Sequence, residues 1–276
     1  MKVKNLLSLI VIALMIVLSS NKIFAQDLLD DSMKIADYSY NGQIGYGSSG
    51  ILDCEEYLKD KYNGEVNLVE YNNLELTDVP QIEFSKGSPE GNCCITTIAR
   101  VIYYYSESGE IQIEDKDVDA IYNVVRDIAI DKYEYPPEGG LYSGYVKPLI
   151  EDVFEHYGYN VEVGEEIVYW NFDEHVKNEI DNKKPVILAN GLGFGYYSRH
   201  ALSICGYKTY KVSKRILFWT YNKEYPMIEV CDGWSYRTKY IDYNQFKREL
   251  QSWTSMVFTV SIGEPIEEIG GEAWLY

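Results

Sequence analysis

Two adjacent cysteines, Cys93 and Cys94, open a stretch with helical periodicity, and a thiol at such a position can serve as a nucleophile. Pro89 and Gly91 interrupt the chain just before them, and Asn92 stands at the N-cap position. Cys93 is therefore predicted to lie in the first turn of a helix. The free N–H groups and the positive dipole end at this place should lower the pKa of its thiol and favour the reactive thiolate.

The helical period separates the two cysteines, because neighbouring residues point about 100° apart around a helix axis. Cys94 lies on the apolar stripe and is predicted to be a buried, small hydrophobic residue. The opposite side, which is predicted to line a cleft, carries Cys93, Thr96, Thr97, Arg100 and Tyr104. Cys93 is thus the candidate nucleophile, and a disulfide with Cys54 or an idle thiol is the alternative.

His200 is the candidate general base. It begins a strand-like run, HALSICGY, directly after a glycine-broken loop, GLGFGYYSR. A base needs rigid support together with access to the reacting group, and a strand edge beside a loop provides both. The other histidines, His156 and His175, lie on the flanks of predicted amphipathic helices, where a structural role is the ordinary expectation.

Asp232 is the candidate residue that orients this base. It ends the strand-like run MIEVCD, and its carboxylate is predicted to accept the imidazole N–H of His200. Trp234, two residues later, is a supporting residue whose indole would shield this hydrogen bond from water. Taken alone, Asp-Gly is a strong hairpin signal. The role of Asp232 therefore rests on its being the third member of a set.

Strand alternation also bears on two further cysteines. Cys205 points away from His200 in its strand, and Cys231 points away from Asp232 in the next. The two thiols would turn away from the active face together. They could pair, but two buried free thiols are the preferred interpretation.

The elements around these residues change in kind along the chain. Helical periodicity predicts helices over residues 92–105, 118–128, 145–157 and 172–180. Later runs rich in β-branched and aromatic residues predict strands, namely PVILAN, HALSICGY, RILFWTY, MIEVCD, RTKYIDY and SMVFTVSI. Helices followed by a run of neighbouring strands are typical of an α+β fold with an antiparallel sheet.

The first 25 residues predict a secretory signal peptide and hence a secreted, extracellular protein. Lys2 and Lys4 precede an apolar run over residues 6–18, and Ala25 offers a small residue at the cleavage point. An uncleaved anchor is the alternative. Downstream, no apolar stretch approaches the roughly twenty residues that cross a bilayer, so no stable membrane span is expected after the signal is removed.

Charge and cysteine usage exclude several classes of partner. The formal net charge is −18, and removing the three lysines of residues 1–25 makes it −21. Such a surface repels nucleic acid and anionic membranes, so neither is an expected partner. A basic substrate is conceivable, but charge for solubility is the preferred interpretation. There is no C-x-x-C pair, and no histidine lies near a cysteine cluster, so neither a metal site nor a cofactor is predicted.

These segments carry a family resemblance. GNCCITTIARVIYY resembles the nucleophile helix of the papain-like cysteine peptidase superfamily, closest to the double-glycine (bacteriocin-leader) peptidase-like domains. The match aligns Cys93 with the nucleophile, while RHALSICGY resembles the base strand and CDGWS the segment of the third residue. The resemblance implies a papain-like fold, in which an N-terminal helical part carries the cysteine helix and packs on an antiparallel sheet that carries His200 and Asp232.

The sequence departs from this family in two places. Papain-like enzymes carry a glutamine shortly before the cysteine that donates to the oxyanion, but Gly87 stands there. Gln81, Ser85, Ser88 and Asn92 are the candidate substitutes, with the backbone N–H of Cys93 as the other donor. The spacing from His200 to Asp232 is also long, which suggests an insertion around KTYKVSKRILFWTYNKEY.

The chain is predicted to have one catalytic domain with shorter flanking segments. The domain covers residues 80–263 and follows a flexible acidic and Gly/Ser-rich lead-in over 26–50. Residues 51–79 are an N-terminal extension, either a propeptide or the first wall of the domain. Residues 264–276 are an acidic C-terminal tail.

Together these features predict an exported cysteine hydrolase that cleaves peptide or amide bonds in a peptide or protein substrate. The Cys93 thiolate would attack the carbonyl, His200 would shuttle the proton, Asp232 would orient His200, and water would resolve a thioester acyl-enzyme. A transamidase using the same residues is one alternative. The other is a non-catalytic binding or inhibitor module on the same fold. The oligomeric state is left open.

Overall fold

The computed structural model describes residues 50–76, 91–135, 140–166, 171–191, 197, 199–216, 218–233, 237–249 and 255–266. It consists of helices and one antiparallel sheet of seven strands, so the predicted α+β class is confirmed. The predicted signal peptide and nearly all of the lead-in lie outside the described residues, as does the tail beyond residue 266.

The helices are α1 (Cys54–Tyr62), α2 (Cys93–Ser108), α3 (Val118–Tyr133), α4 (Val146–His156), α5 (Asn178–Asp181) and α6 (Tyr243–Glu249). A 3₁₀ turn (Ser143–Tyr145) precedes α4, and a π-helical turn (Asp173–Lys177) runs into α5. The strands are β1 (Glu65–Asn73), β2 (Tyr159–Glu166), β3 (Val186–Asn190), β4 (His200–Ile216), β5 (Trp219–Cys231), β6 (Lys239–Asp242) and β7 (Met256–Pro265). Among the described residues, none of these helices has the length and apolar character to span a bilayer.

The sheet is organised around β4, which is long enough to have different neighbours along its length. The strand order is β2-β7-β3-β4-β5-β6, and β1 also pairs with β4. On one edge of β4, residues 200–204 pair with β3 and residues 206–213 pair with β1, while β5 runs along the other edge. Cys205 forms a β-bulge between these two halves, because Ile204 and Gly206 face consecutive residues of β5.

Two apolar clusters cover the two faces of the sheet. Alternation along β3 sends Ile187 into a first core, which α2, α3 and α4 cover, and Leu188 into a second. The second core includes Val176, Ile180 and Phe246 from the π-helical turn, α5 and α6. The start of β4 and the end of β5 lie between these layers, so polar groups there are withdrawn from water.

Helix α2 is buried on both sides, which corrects the prediction that its polar side lines a cleft. Thr96, Thr97 and Arg100 are as inaccessible as the apolar residues opposite them. The reason is that α2 packs against β4 as well as against α3 and α4. The buried Arg100 guanidinium donates to Ser203 Oγ at 3.2 Å and to the Cys231 carbonyl at 3.5 Å.

The segment before residue 74 is part of the same sheet. The Asp53 carboxylate accepts from the first N–H groups of α1, which caps the helix, and β1 then pairs with β4 over most of its length. Leu58 and Val66 pack with Tyr210 of β4 in a third cluster. This pairing favours the interpretation that residues 51–79 are a wall of the domain, while the boundary itself stays a prediction.

Candidate active site

The N-terminus of α2 meets the beginning of β4 at the sulfur of Cys93. Cys93 is the first residue of α2 and is half-buried. Backbone N–H groups of Ala201, Cys94 and Cys93 itself are directed at its sulfur. Since Ala201 directly follows His200, the segments that carry the predicted nucleophile and the predicted base adjoin one another.

The protonation of Cys93 differs from the sequence expectation. Burial raises the pKa of the thiol above its ordinary value, and the three backbone N–H groups lower it only in part. The helix terminus is therefore present as predicted, but desolvation by the surrounding layers outweighs it. Cys94 is buried as predicted, and burial raises the pKa of its thiol as well.

His200 is buried and held by a main-chain hydrogen bond. Its Nε2 lies 2.7 Å from the backbone carbonyl oxygen of Asp232. Because a carbonyl can only accept, Nε2 carries the proton, and Nδ1 is the unprotonated nitrogen of the neutral ring. Burial lowers the pKa of His200 to about 4. The Asp232 charge opposes this shift, and the nearby cations Arg100 and Lys239 add to it.

The carboxylate of Asp232 has a different environment from the one predicted. It accepts from Lys239 Nζ at 2.5 Å and from the Tyr197 hydroxyl at 3.2 Å, and both side chains of the ion pair are almost inaccessible. Asp232 thus holds the imidazole N–H through its main-chain carbonyl, while its side chain anchors that stretch of backbone to β6. The predicted proximity of His200 and Asp232 is present, although the acceptor is not the carboxylate.

Lys239 and Tyr197 were not found by the sequence analysis. The Tyr197 ring stacks on the imidazole of His200, with centroids 6.0 Å apart and planes inclined by 13°. Lys239 reaches Asp232 from the neighbouring strand β6. A single tyrosine among 27 and a lysine in a strand-like run carry no local signal that separates them from surface residues.

Gly50 and Ile51 close this cluster from the N-terminal side. Ile51 exchanges two backbone hydrogen bonds with Tyr240, at 3.0 and 2.8 Å, which brings Gly50 against Lys239 and Tyr197. A Cβ at position 50 would lie 2.7 Å from the Tyr197 hydroxyl and 2.9 Å from Lys239 Cβ, and the φ of Gly50 is +109°. Only glycine fits such a conformation and such a close approach without displacement.

Of the predicted oxyanion donors, Asn92 lies among the described residues, directly before Cys93. Asn92 precedes α2 but does not cap it with its side chain, and its buried amide donates to the Tyr122 hydroxyl of α3 at 3.4 Å. Outside the described residues lie Gln81, Ser85, Ser88 and the supporting residue Trp234. The backbone N–H groups at the start of α2 stay candidates for this role.

The remaining cysteines are buried free thiols. Cys54, Cys94, Cys205 and Cys231 are all nearly inaccessible, whereas Cys93 is the more exposed thiol. On neighbouring strands, the Cys231 thiol donates a hydrogen bond to the Cys205 sulfur at 3.5 Å, and no disulfide joins the two. The preferred interpretation of this pair is confirmed. Among the described residues, no group of three or more His, Cys, Asp or Glu side chains could hold a metal ion.

Comparison with known proteins gives one family match. Residues 74–261, more than half of the chain, match the model of the Peptidase_C39 like family. The matched range contains α2, β4 and β5. No curated protein matches the chain.

Proposed function

Since the chain belongs to the Peptidase_C39 like family, within the papain-like cysteine peptidases, we propose that it is a cysteine hydrolase that cleaves peptide or amide bonds. Its nucleophile is Cys93, its general base is His200, and Asp232 holds the base in place. The observation that carries the proposal is the hydrogen bond from His200 Nε2 to the Asp232 carbonyl. This bond makes Nδ1 the nitrogen of His200 that can accept a proton. The next residue, Ala201, directs its backbone N–H at the Cys93 sulfur.

The proposed reaction starts from a neutral pair. The raised pKa of the Cys93 thiol and the lowered pKa of His200 both favour thiol and imidazole over thiolate and imidazolium. His200 Nδ1 takes the thiol proton as sulfur attacks the carbonyl carbon, and the imidazolium then gives that proton to the departing amine. Water, deprotonated by the same nitrogen, hydrolyses the thioester and releases the thiol.

Asp232 contributes in two ways to this cycle. Its carbonyl keeps Nε2 protonated, so that Nδ1 is the nitrogen available for proton transfer. Its carboxylate lies close enough to raise the pKa of His200 against the effect of burial, and so it stabilises the imidazolium that forms during attack. Lys239 and Tyr197 position that carboxylate.

We also propose that the protein is exported, with residues 1–25 removed as a signal peptide. The positive N-terminus and the apolar run that follows support this. Expression of the full chain should yield an extracellular protein whose N-terminal residue is Gln26. Intact protein retained in the cell membrane with residues 1–25 attached would contradict export.

Digestion of a peptide library tests the hydrolase. Wild-type protein should cleave a subset of peptides, and Cys93→Ala should reduce cleavage to background. His200→Ala should lower the rate about a hundred- to ten-thousand-fold, the usual contribution of a positioned general base. Cys94→Ala is the matched control, because it removes the adjacent buried thiol and should keep most of the activity.

Alkylation with limiting iodoacetamide separates the enzyme from a non-catalytic module. Cys93 should be modified first, and its rate should fall in His200→Ala. Slow and uniform labelling of several cysteines, together with no cleavage by the wild type, would favour the binding module. Adding a primary amine during digestion distinguishes the transamidase, since its products would carry the amine in place of a free carboxylate.

A further inference from the structure

The ends of β4 and β5, residues 214–216 and 219–221, form a two-stranded ribbon that extends beyond the rest of the sheet. On the β4 edge, pairing with β1 ends at Ser213. On the β5 edge, pairing with β6 covers only Met227–Val230. Among the residues that the structure describes, those of the ribbon pair only with each other, up to Ile216 opposite Trp219. Every described side chain from Trp219 to Glu224 is exposed.

The tip of this ribbon carries large aromatic side chains in water. Phe218 is 91% exposed, Trp219 78% and Tyr221 41%. Single exposed apolar residues are ordinary, but Phe218 and Trp219 are consecutive and stand at the end of a projecting ribbon. Tryptophan and tyrosine combine an apolar body with a polar edge, and they are enriched at the interface between membrane and water for that reason.

Basic residues surround these aromatics in a chain that is otherwise strongly acidic. Five lysines or arginines and no acidic residue lie between positions 208 and 223, although the whole chain has a net charge of −18. Lys208 lies over the Tyr71 and Tyr240 rings at the base of the ribbon. Four basic residues lie nearer the tip, namely Lys211, Lys214, Arg215 and Lys223. None of them forms an ion pair with a described residue.

The strand register brings cations and aromatics to the same face. Lys214 is paired opposite Tyr221. Directly opposite residues of an antiparallel pair project to one side, and alternation along β5 adds Trp219 and Lys223 to that side. The first carboxylate after the tip, Glu224, pairs with Lys211 and projects to the other face.

We infer that this ribbon tip is a docking element for an anionic lipid surface. Phe218 and Trp219 enter the headgroup layer, while Lys214, Arg215 and Lys223 contact lipid phosphates. A narrow tip with a cationic collar suits a fluid layer that closes around it, whereas a protein partner would need a wider complementary patch. Charge complementarity selects anionic lipid, even though the protein as a whole is acidic.

The net negative charge does not prevent this contact. The Debye length is about 8 Å at physiological ionic strength, so a surface senses mainly the charges that project toward it. Strand β4 runs from His200 to Ile216, and at roughly 3.3 Å per residue the ribbon tip lies about 50 Å from the active site. Docking would therefore leave the active site accessible, and the inference does not depend on the proposed hydrolase activity.

Sedimentation with vesicles tests the inference directly. The protein beginning at Gln26 should bind vesicles of phosphatidylcholine mixed with phosphatidylglycerol and should bind weakly to phosphatidylcholine alone. Each cation near an anionic surface contributes about fivefold to binding, so Lys214→Glu with Arg215→Glu should lower the partition coefficient about 25-fold or more. Phe218→Ala with Trp219→Ala should lower it at least about tenfold.

Two controls lie elsewhere on the surface. Lys147→Glu removes an exposed cation of α4, and Leu52→Ala removes an exposed apolar side chain near α1. Both should bind vesicles as the wild type does, and circular dichroism should show equal melting temperatures for all variants. Binding that is absent, or equal in the tip variants and the controls, would overturn the inference. Self-association that the tip variants lose, without vesicle binding by the wild type, would also overturn it. The tip would then bind a second copy of the chain.

Discussion

The two ends of the β4–β5 pair have opposite properties, although the same two strands form both. At one end, His200 begins β4 and Asp232 follows β5, and both are buried among hydrogen-bonding partners. At the other end, Phe218 and Trp219 are exposed, and in the described part of the chain the two strand ends pair only with each other. Charged groups are buried at the His200 end because other elements of the fold pack against it, and not because the strands differ in composition.

This difference has an energetic consequence that can be measured. A charge withdrawn from water is tolerated only with a partner, so each polar group at the buried end depends on the others. A lysine at the exposed end is solvated with or without a partner. Equivalent substitutions at the two ends should therefore differ in their effect on the free energy of unfolding.

The largest difference is expected for the lysines. Lys239→Met leaves the buried Asp232 carboxylate without its cation and should lower the free energy of unfolding by about 3–5 kcal/mol. Lys223→Met at the exposed end should change it by less than about 0.5 kcal/mol. Urea denaturation followed by circular dichroism measures both. Adding Asp232→Asn to Lys239→Met should restore part of the loss, and equal losses for the two lysine variants would break the comparison.

The next effect concerns pH and belongs to the buried end. The pKa of His200 is lowered to about 4 in the folded protein, so the unfolded chain binds its proton near pH 6.5 and the folded one does not. Stability from this group is complete above pH 6.5 and is lost as the pH falls toward 4, by about 3 kcal/mol. The difference between wild type and His200→Gln across this range isolates the effect. A constant difference would mean that His200 is not withdrawn from water.

A smaller effect is expected where the backbone closes over the buried end. Gly50→Ala should cost about 1–3 kcal/mol, because residue 50 has a positive φ and an added methyl group meets the Tyr197 hydroxyl. Gly109→Ala is the matched control, since its φ is also positive but nothing lies within 4 Å of an added Cβ. The control should lose less stability in the same denaturation experiment. A reversed order would show that Gly50 is not tightly packed.

The smallest effect is expected at the tip. Phe218→Ala with Trp219→Ala should change the free energy of unfolding by no more than about 0.5 kcal/mol, since neither side chain is withdrawn from water. Thermal and urea unfolding of the double variant check this. A loss of several kcal/mol would mean that the tip packs against another part of the molecule.

Residue type and spacing were enough to predict much of the buried end. The first turn of a helix, a strand start and a strand end are local features, so Cys93, His200 and Asp232 could be chosen from the sequence. The predicted α+β class and the burial of Cys94 followed from periodicity in the same way. Their catalytic roles stay predictions until activity is measured.

What could not be predicted depends on contacts between distant segments. The sequence indicated that Thr96 and Arg100 face a cleft, but packing of α2 against β4 buries them. The same burial raises the pKa of Cys93, where the helix terminus alone predicted a lower one. Lys239 and Tyr197 meet Asp232 only after β6 and the residues before β4 are in place. RILFWTY has the composition of an ordinary strand and was predicted as one, but β4 ends and β5 begins within it, so that prediction was wrong.

The bulge at Cys205 shifts the alternation of side chains by one residue between the two halves of β4. Before it, Leu202 and Ile204 face the second core, whereas beyond it Tyr210 and Val212 face the third cluster on the opposite side. Side chains alternate between the two faces of a strand, so a change of two residues in strand length keeps the following side chains on their faces. A change of one residue moves them to the opposite face. The ribbon can therefore lengthen or shorten by paired steps without disturbing His200. A single-residue deletion between His200 and Cys205 would reverse one half against the other.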